Sequence, residues 1–127
     1  MIIDSSAVIA WVKNEPDGPA LAAALTAAEL PRISAATLLE SCIVAGRTRH
    51  VDVDDLLAGV EVVPFDARQA LVARDAYLRY GKGSGSPARL NLGDCFSYAL
   101  ATVTGEPLLF KGDDFTHTDV TPALELS

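Results

Sequence analysis

Three acidic side chains stand in surroundings that do not suit a solvated carboxylate. Asp4 ends an apolar run at the N-terminus, Glu40 lies among leucine, cysteine and isoleucine residues, and Asp94 lies between a glycine and a cysteine. Burial of an ionised carboxylate is costly unless the group is paired, hydrogen-bonded or bound to a metal ion. Taken singly, each could be a surface acid or a helix cap, and Asp94 could simply complement a helix dipole. Taken together, they predict a cluster with a chemical role.

A cluster of carboxylates indicates a bound metal ion. Crowded carboxylates repel one another and raise each other's pKa unless a cation compensates. Oxygen-only ligands favour hard ions such as Mg²⁺ or Mn²⁺. One or two such ions can activate water for attack on a phosphodiester and stabilise the departing oxygen. We therefore expect metal-dependent phosphodiester hydrolysis by a nuclease, whose substrate could be RNA or DNA, and a phosphatase that uses the same metal site is an open alternative.

The charge of the chain limits how it could hold a nucleic acid. It has 17 Asp and Glu residues against 10 Lys and Arg residues, a formal charge of −7. Phosphate contacts need local Lys and Arg, so a nucleic acid would have to be held by a basic rim and by bound cations. Lys82, Arg89 and Lys111 lie near the acidic segments and are the candidates for nucleic-acid contacts, although each could be ordinary surface charge.

Other sequence features exclude several classes of protein. No segment approaches the roughly 20 apolar residues that a membrane span requires, and the N-terminus does not resemble a secretory signal. Cys42 and Cys95 are isolated, which predicts two reduced thiols rather than a disulfide framework or a zinc site. The glycine- and serine-rich stretch 81–87 lacks the residue order of a phosphate-binding loop. We expect a cytoplasmic protein with no membrane partner.

The hydrophobic pattern predicts strands that alternate with helices. The clearest helix signals are the alanine-rich segment 19–29 and Asp66, a suitable N-cap for a helix that runs to Tyr80. The predicted strands are 1–4, 32–34, 60–65, 107–110 and a weak last one at 123–126, and the other predicted helices are 7–13, 35–49, 51–58 and 93–104.

This alternation predicts one α/β domain over residues 1–127. We expect an α/β/α sandwich with a mainly parallel central sheet that is covered by helices on both faces. In such sheets, ligands bind at the C-terminal ends of the strands. Asp4 lies at one such end, and Asp113 and Asp114 follow another. The fold is therefore expected to bring acids that are distant in sequence to one rim.

Four segments of the chain carry a family pattern. They are Met1-Ile2-Ile3-Asp4-Ser5-Ser6-Ala7, Ala35-Ala36-Thr37-Leu38-Leu39-Glu40, Leu90-Asn91-Leu92-Gly93-Asp94-Cys95-Phe96-Ser97-Tyr98-Ala99 and Leu108-Leu109-Phe110-Lys111-Gly112-Asp113-Asp114-Phe115. In this order they resemble the PIN-domain ribonucleases, and most closely the VapC toxins of bacterial toxin–antitoxin pairs. The resemblance covers essentially the whole chain and implies a PIN-like fold.

The resemblance also implies which residues form the catalytic metal site. Asp4, Glu40 and Asp94 match the acids that hold Mg²⁺ or Mn²⁺ in the family. Ser6 matches a hydroxyl position that supports the first acid.

The fourth acid of the family has no direct match. Many relatives carry an Asp or Asn at the position of Gly112. Asp114 or Asp113 must then complete the site, and we favour Asp114. A second departure is the short stretch 49–60, where relatives often have a longer helical pair that helps to form dimers.

The function implied by the resemblance is that of a Mg²⁺-dependent endoribonuclease toxin that hydrolyses RNA with metal-activated water. The family also implies a homodimer and a cognate VapB-type antitoxin, which would place a basic side chain over the acidic groove and provide the only contact with DNA. The alternative is a catalytically weak PIN-like binding module that acts only within an antitoxin or repressor complex. The presence of Asp4, Glu40 and Asp94 favours the enzyme.

Overall fold

A parallel four-stranded sheet forms the centre of the protein. In the computed structural model, which describes residues 1–126, the strands are β1 (Ile2–Ile3), β2 (Arg32–Ser34), β3 (Glu61–Val63) and β4 (Leu108–Leu109). They lie in the order β3-β2-β1-β4, and each neighbouring pair is parallel. The carboxyl ends of the strands therefore meet at one edge of the sheet, with β1 between β2 and β4.

Helices cover both faces of this sheet. They are α1 (Ser5–Val12), α2 (Gly18–Ala27), α3 (Ala35–Ala45), α4 (His50–Leu56), α5 (Ala67–Tyr80), α6 (Leu92–Thr104) and a short 3₁₀ helix over Asp114–His117. Ile2 packs into a core that includes residues of α5 and α6, whereas Ile3 packs into a second core with residues of α1 and α2. Neighbouring residues of a strand point to opposite faces. The predicted α/β/α sandwich with a parallel sheet is confirmed.

The helix boundaries follow local signals in the sequence. Asp66 caps α5 as predicted, because its side chain accepts a hydrogen bond of 2.9 Å from the backbone N–H of Gln69. The prediction placed the end of α3 at Arg49, but the helix ends at Ala45. Gly46 follows with a φ of +94°, a conformation that favours glycine and cannot continue a right-handed helix.

The weak last strand predicted at 123–126 is wrong. Leu108 donates a hydrogen bond to the backbone oxygen of Thr121 and accepts one from the backbone N–H of Ala123, which makes a single bridge opposite Pro122. Because β4 contains two residues at the edge of the sheet, it offers this segment one bridging position rather than a ladder.

Two composition-based predictions also have structural counterparts. Cys42 and Cys95 are free thiols, as expected. Within residues 1–126, no helix combines the length and the apolar character that crossing a bilayer requires.

Candidate active site

Asp4 is a buried carboxylate held by hydroxyl groups. It follows β1 and caps α1, and it is only 1% exposed. Its Oδ2 accepts hydrogen bonds from the backbone N–H of Ser6 (3.0 Å) and from the Ser6 hydroxyl (2.6 Å), while Oδ1 accepts one from the Ser97 hydroxyl (2.6 Å). Burial raises the pKa of Asp4, and these hydrogen bonds act in the opposite direction. Ser6 thus contacts Asp4 as the sequence suggested.

Glu40 lies on α3 with its carboxylate against the first turn of α6. A Cβ atom added to Gly93 would lie 1.8 Å from Glu40 Oε2, so the space that this carboxylate occupies exists because residue 93 has no side chain. The other oxygen, Oε1, is buried and has no hydrogen-bond partner in the described part of the chain. Burial raises the pKa of Glu40, the Ser5 side chain acts in the opposite direction, and the negative charge of Asp4 adds to the increase.

Asp94 has a structural role and an electrostatic one. Its Oδ2 accepts a hydrogen bond of 3.0 Å from the backbone N–H of Asn91, whose side chain in turn accepts one from the backbone N–H of Asp94 (2.9 Å), and this reciprocal pair caps α6. Burial raises the pKa of Asp94 to about 7, with further contributions from the charges of Asp4, Asp114 and Glu40. The helix-capping alternative is therefore real, but it does not account for the surrounding acids.

The two candidates for the fourth acid, Asp113 and Asp114, follow β4 at the same edge of the sheet. Asp113 precedes the 3₁₀ helix and Asp114 is its first residue. Both side chains are exposed. Of the two, Asp114 is the one whose charge contributes to the raised pKa of Asp94. This difference supports Asp114, the residue favoured from the sequence, and its role as the fourth acid stays a prediction.

These acids form an electrostatic cluster whose chemistry fits a hard divalent cation. Among residues 1–126, no group of three His, Cys, Asp or Glu side chains converges tightly enough, as the side chains stand, to surround one ion. Glu40 Oε1 is nevertheless buried without a hydrogen-bond partner, and the raised pKa values of Asp4, Glu40 and Asp94 indicate that their charged forms are disfavoured in this environment, a penalty that a bound cation would relieve. Carboxylate oxygens are the ligands that Mg²⁺ and Mn²⁺ prefer.

The three basic residues proposed to contact RNA lie in two different settings. Lys82 and Arg89 are exposed in the segment between α5 and α6. Lys111 instead forms an ion pair of 2.5 Å with Glu15, which raises its pKa, and its ammonium lies 3.9 Å from Asp17. Its charge is thus already shared with acids of the α1–α2 turn, while its role toward RNA stays a prediction.

Three residues near the acids were missed from the sequence: Gly93, Ser97 and Thr37. Ser97 bonds directly to Asp4, and Thr37 lies 3.2 Å from Ser97, between their hydroxyl oxygens. Both hydroxyl residues are fully buried. Their spacing carried a signal, because Thr37 lies three residues before Glu40 and Ser97 three residues after Asp94, so each shares a helix face with an acid.

The parallel sheet, with acids gathered where its strands end, is the architecture of a PIN domain. The PIN domain family model matches residues 1–120, and the chain belongs to this family. Within the family it is similar to VapC ribonucleases. It is 50% identical to ribonuclease VapC42 of Mycobacterium tuberculosis, with 97% of this chain and 98% of the relative covered, and 49% identical to ribonuclease VapC28 of the same species, with 98% of each chain covered.

Solved structures support the same fold. The crystal structure of Mycobacterium tuberculosis VapC20, described as a sarcin-ricin loop cleaving toxin, aligns with a TM-score of 0.76 at 14% identity and covers 94% of this chain and 95% of the other. A toxin–antitoxin complex from Klebsiella pneumoniae aligns with a TM-score of 0.73 at 18% identity, with 98% of both chains covered. At these identities the likeness concerns the fold alone.

Proposed function

We propose that this chain is a Mg²⁺-dependent endoribonuclease toxin of a VapBC-type pair, which hydrolyses RNA phosphodiester bonds and acts in the cytoplasm. The observation that carries the proposal is the electrostatic coupling of Asp94 with Asp4, Glu40 and Asp114, acids from four separate segments. The 44–50% identity to ribonucleases of the VapC type supports RNA as the substrate.

The residues have distinct roles in this proposal. A bound Mg²⁺ or Mn²⁺ would offset the charge of the phosphate and would lower the pKa of water, so that the deprotonated nucleophile is available near neutral pH. Asp4, fixed on both oxygens by hydroxyl groups, and Asp94, fixed by its helix cap, are the rigid anchors of the cation. Glu40, with one oxygen free, and the exposed Asp114 complete the site and orient the attacking water.

An apolar surface beside the acids suits a second copy of the chain. Leu39, Ile43 and Val44 of α3, together with Leu92 of α6, are 46–70% exposed and form what we call the α3 surface. They line one groove together with Glu40, so a partner bound there would lie next to the catalytic site. Apolar residues can meet their own copies across a twofold axis without charge repulsion. We therefore propose the α3 surface as the homodimer contact.

The acidic cluster suits a different partner. Four acids without a compensating basic side chain would attract a basic group, and an Arg guanidinium can bind a carboxylate through two hydrogen bonds. We propose that a basic segment of a cognate VapB-type antitoxin covers this cluster and blocks the entry of RNA. DNA would be contacted only through the antitoxin.

The activity can be tested on the purified chain after removal of any partner. We expect cleavage of RNA with Mg²⁺ and none with EDTA. The Asp94→Asn variant should be inactive yet folded, because the amide oxygen of Asn can still accept the capping hydrogen bond from Asn91. Asp66→Asn, which changes an aspartate that caps the N-terminus of α5 away from the site, should retain activity.

The same purified protein can be used to test the substrate preference and the alternative functions. Equal cleavage of matched single-stranded DNA and RNA would favour a less selective nuclease. A folded chain that binds an antitoxin but cleaves neither polymer at any Mg²⁺ or Mn²⁺ concentration would contradict the proposed enzymatic activity. The alternative, a binding module without catalysis, would then explain the protein.

A further inference from the structure

Two buried hydroxyl groups lie directly behind Asp4. The Ser97 hydroxyl oxygen lies 2.6 Å from Asp4 Oδ1, and the Thr37 hydroxyl oxygen lies 3.2 Å from that of Ser97. Both side chains are fully buried. They come from α6 and α3, so this short chain of hydrogen bonds joins the end of β1 to the two helices that carry Asp94 and Glu40.

The direction of each hydrogen bond follows from counting protons. A carboxylate can only accept, so the single hydroxyl proton of Ser97 is donated to Asp4. The Ser97 oxygen can then only accept from Thr37, which makes Thr37 the first donor. Asp4 Oδ2 is approached in a parallel way, because the backbone N–H of Lys111 donates to the Ser6 hydroxyl (2.9 Å), which donates to Asp4.

The positions of Thr37 and Ser97 relate them to the other two acids. Thr37 lies one helical turn before Glu40 on α3, and Ser97 lies one turn after Asp94 on α6. Residues three apart share a helix face. The contact between the two hydroxyls therefore lies one helical turn away from the point where Glu40 meets the first turn of α6. It limits how far the turn of α3 that carries Glu40 can separate from the turn of α6 that carries Asp94.

From this arrangement we propose that Thr37 and Ser97 are positioning residues for the divalent-cation site. They fix Asp4 Oδ1 and the separation of the helix turns that carry Glu40 and Asp94, and Thr37 acts only through Ser97. The inference rests on the proposed function, since it assumes that these acids bind the cation. The competing explanation is that the pair merely satisfies two buried hydroxyl groups and contributes to stability.

Ser41 provides a matched control for that competing explanation. It is fully buried on α3, one turn after Thr37, and its hydroxyl donates a hydrogen bond of 2.8 Å to the backbone oxygen of Thr37. Ser41→Ala therefore removes a buried hydroxyl from the same helix without removing a hydrogen bond to Asp4. A purely structural role would make Ser41→Ala and Ser97→Ala similar in their effect on metal binding.

The test measures Mn²⁺ affinity of the purified full chain by titration calorimetry or by the electron paramagnetic resonance signal of free Mn²⁺, well below each variant's unfolding temperature. We expect Ser97→Ala to weaken Mn²⁺ binding by about 10–100-fold, the usual effect of removing a group that orients a metal ligand. Thr37→Val should weaken it by less, and Thr37→Ser, which keeps the hydroxyl, should bind as the unaltered chain does. Ser41→Ala should stay within about twofold.

A double variant tests whether Thr37 acts on Asp4 through Ser97. Because Thr37 acts through Ser97, adding Thr37→Val to Ser97→Ala should weaken Mn²⁺ binding no further, whereas Ser6→Ala, which affects the other oxygen, should add to the loss. Unchanged affinity in Ser97→Ala, an equal loss in Ser41→Ala, or full additivity with Thr37→Val would overturn the proposal. If Ser97→Ala fails to fold, Thr37→Val and Thr37→Ser still decide it.

The outcome for this inference can be distinguished from the outcome for the nuclease. A chain that binds Mn²⁺ through these hydroxyls but cleaves no RNA supports the positioning role and contradicts the proposed function. If the unaltered chain cleaves RNA and the Ser97→Ala variant binds Mn²⁺ as tightly as the unaltered chain does, the proposed function is supported and the positioning role is contradicted.

Discussion

Replacement of Gly93 by alanine should separate activity from stability in this protein. The added Cβ would lie 1.8 Å from Oε2 of Glu40 and 2.5 Å from its carboxyl carbon. Ordinary contact between such atoms needs roughly 3.5 Å, so the carboxylate would have to move by about 1.5–2 Å. The end of a flexible side chain can make this movement, which means that the backbone of α6 need not change.

The expected size of the change differs between activity and stability. Displacing a catalytic group by about 1 Å can cost roughly 100-fold in rate, so we expect at least that loss of RNA cleavage in Gly93→Ala. Stability should be unchanged or higher by up to about 1 kcal/mol, because alanine favours a helix more than glycine does. Cleavage rates in Mg²⁺, Mn²⁺ affinity and thermal unfolding of the same preparation measure both effects.

Two controls make the Gly93 prediction specific. Gly59→Ala adds a Cβ that meets no atom within 4 Å, so it should change neither activity nor metal affinity. In a Glu40→Ala background, Gly93→Ala should cause no further loss, since the carboxylate that it displaces is already gone. Cleavage by Gly93→Ala within about threefold of the unaltered chain would refute the argument, as would an additional large loss in the double variant.

The remaining predictions concern pH, assembly and RNA. Because the pKa of Asp94 is raised to about 7 in the fold from its ordinary 3.8, the folded state retains a proton that the unfolded chain has lost between these values, and metal-free stability should fall as pH rises through this window. The unfolding temperature in EDTA should then drop by about 5–10 °C from pH 5 to pH 8, and Asp94→Asn should flatten the change; a rise would contradict the assignment. Ile43→Glu should convert a dimer into a monomer in light scattering, whereas Leu78→Glu, equally exposed on α5, should not; a dimer that survives Ile43→Glu places the contact elsewhere. Arg89→Ala should weaken RNA binding severalfold and reduce its salt dependence by about one released counterion. Lys111→Ala should have a smaller effect because Lys111 is already ion-paired with Glu15. A larger effect for Lys111→Ala would show that this ion pair opens on binding.

The sequence made Asp4, Glu40 and Asp94 candidates because each occupied an unfavourable context for a solvated carboxylate. Asp4 follows an apolar strand, and its burial at 1% exposure agrees with that inference. The resemblance to PIN-domain ribonucleases and the alternation of strands with helices were sufficient for the fold class, since both depend on local order along the chain. The weak strand at 123–126 was wrong because pairing depends on the free length of a neighbouring strand, which the segment itself does not encode.

The residues missed from the sequence owe their importance to contacts across the fold. Ser97 and Asp4 are 93 positions apart, and Gly93 matters because of Glu40, which belongs to another helix. The preference for Asp114 over Asp113 likewise depends on the fold, because the negative charge of Asp114 contributes to the raised pKa of Asp94. The ion pair between Lys111 and Glu15 also joins distant segments, and nothing in the sequence indicated it.

The sequence by itself therefore determined the strand and helix order, the class of fold and the acids that could bind a hard cation, because hydrophobic periodicity and the cost of burying charge are legible locally. The tertiary structure decided that Ser97 joins Ser6 in holding Asp4, that Gly93 makes room for Glu40 and that Lys111 is already paired with an acid. These contacts join residues brought together by parallel β1, β2 and β4, and their distances are set by packing between elements rather than by spacing along the chain.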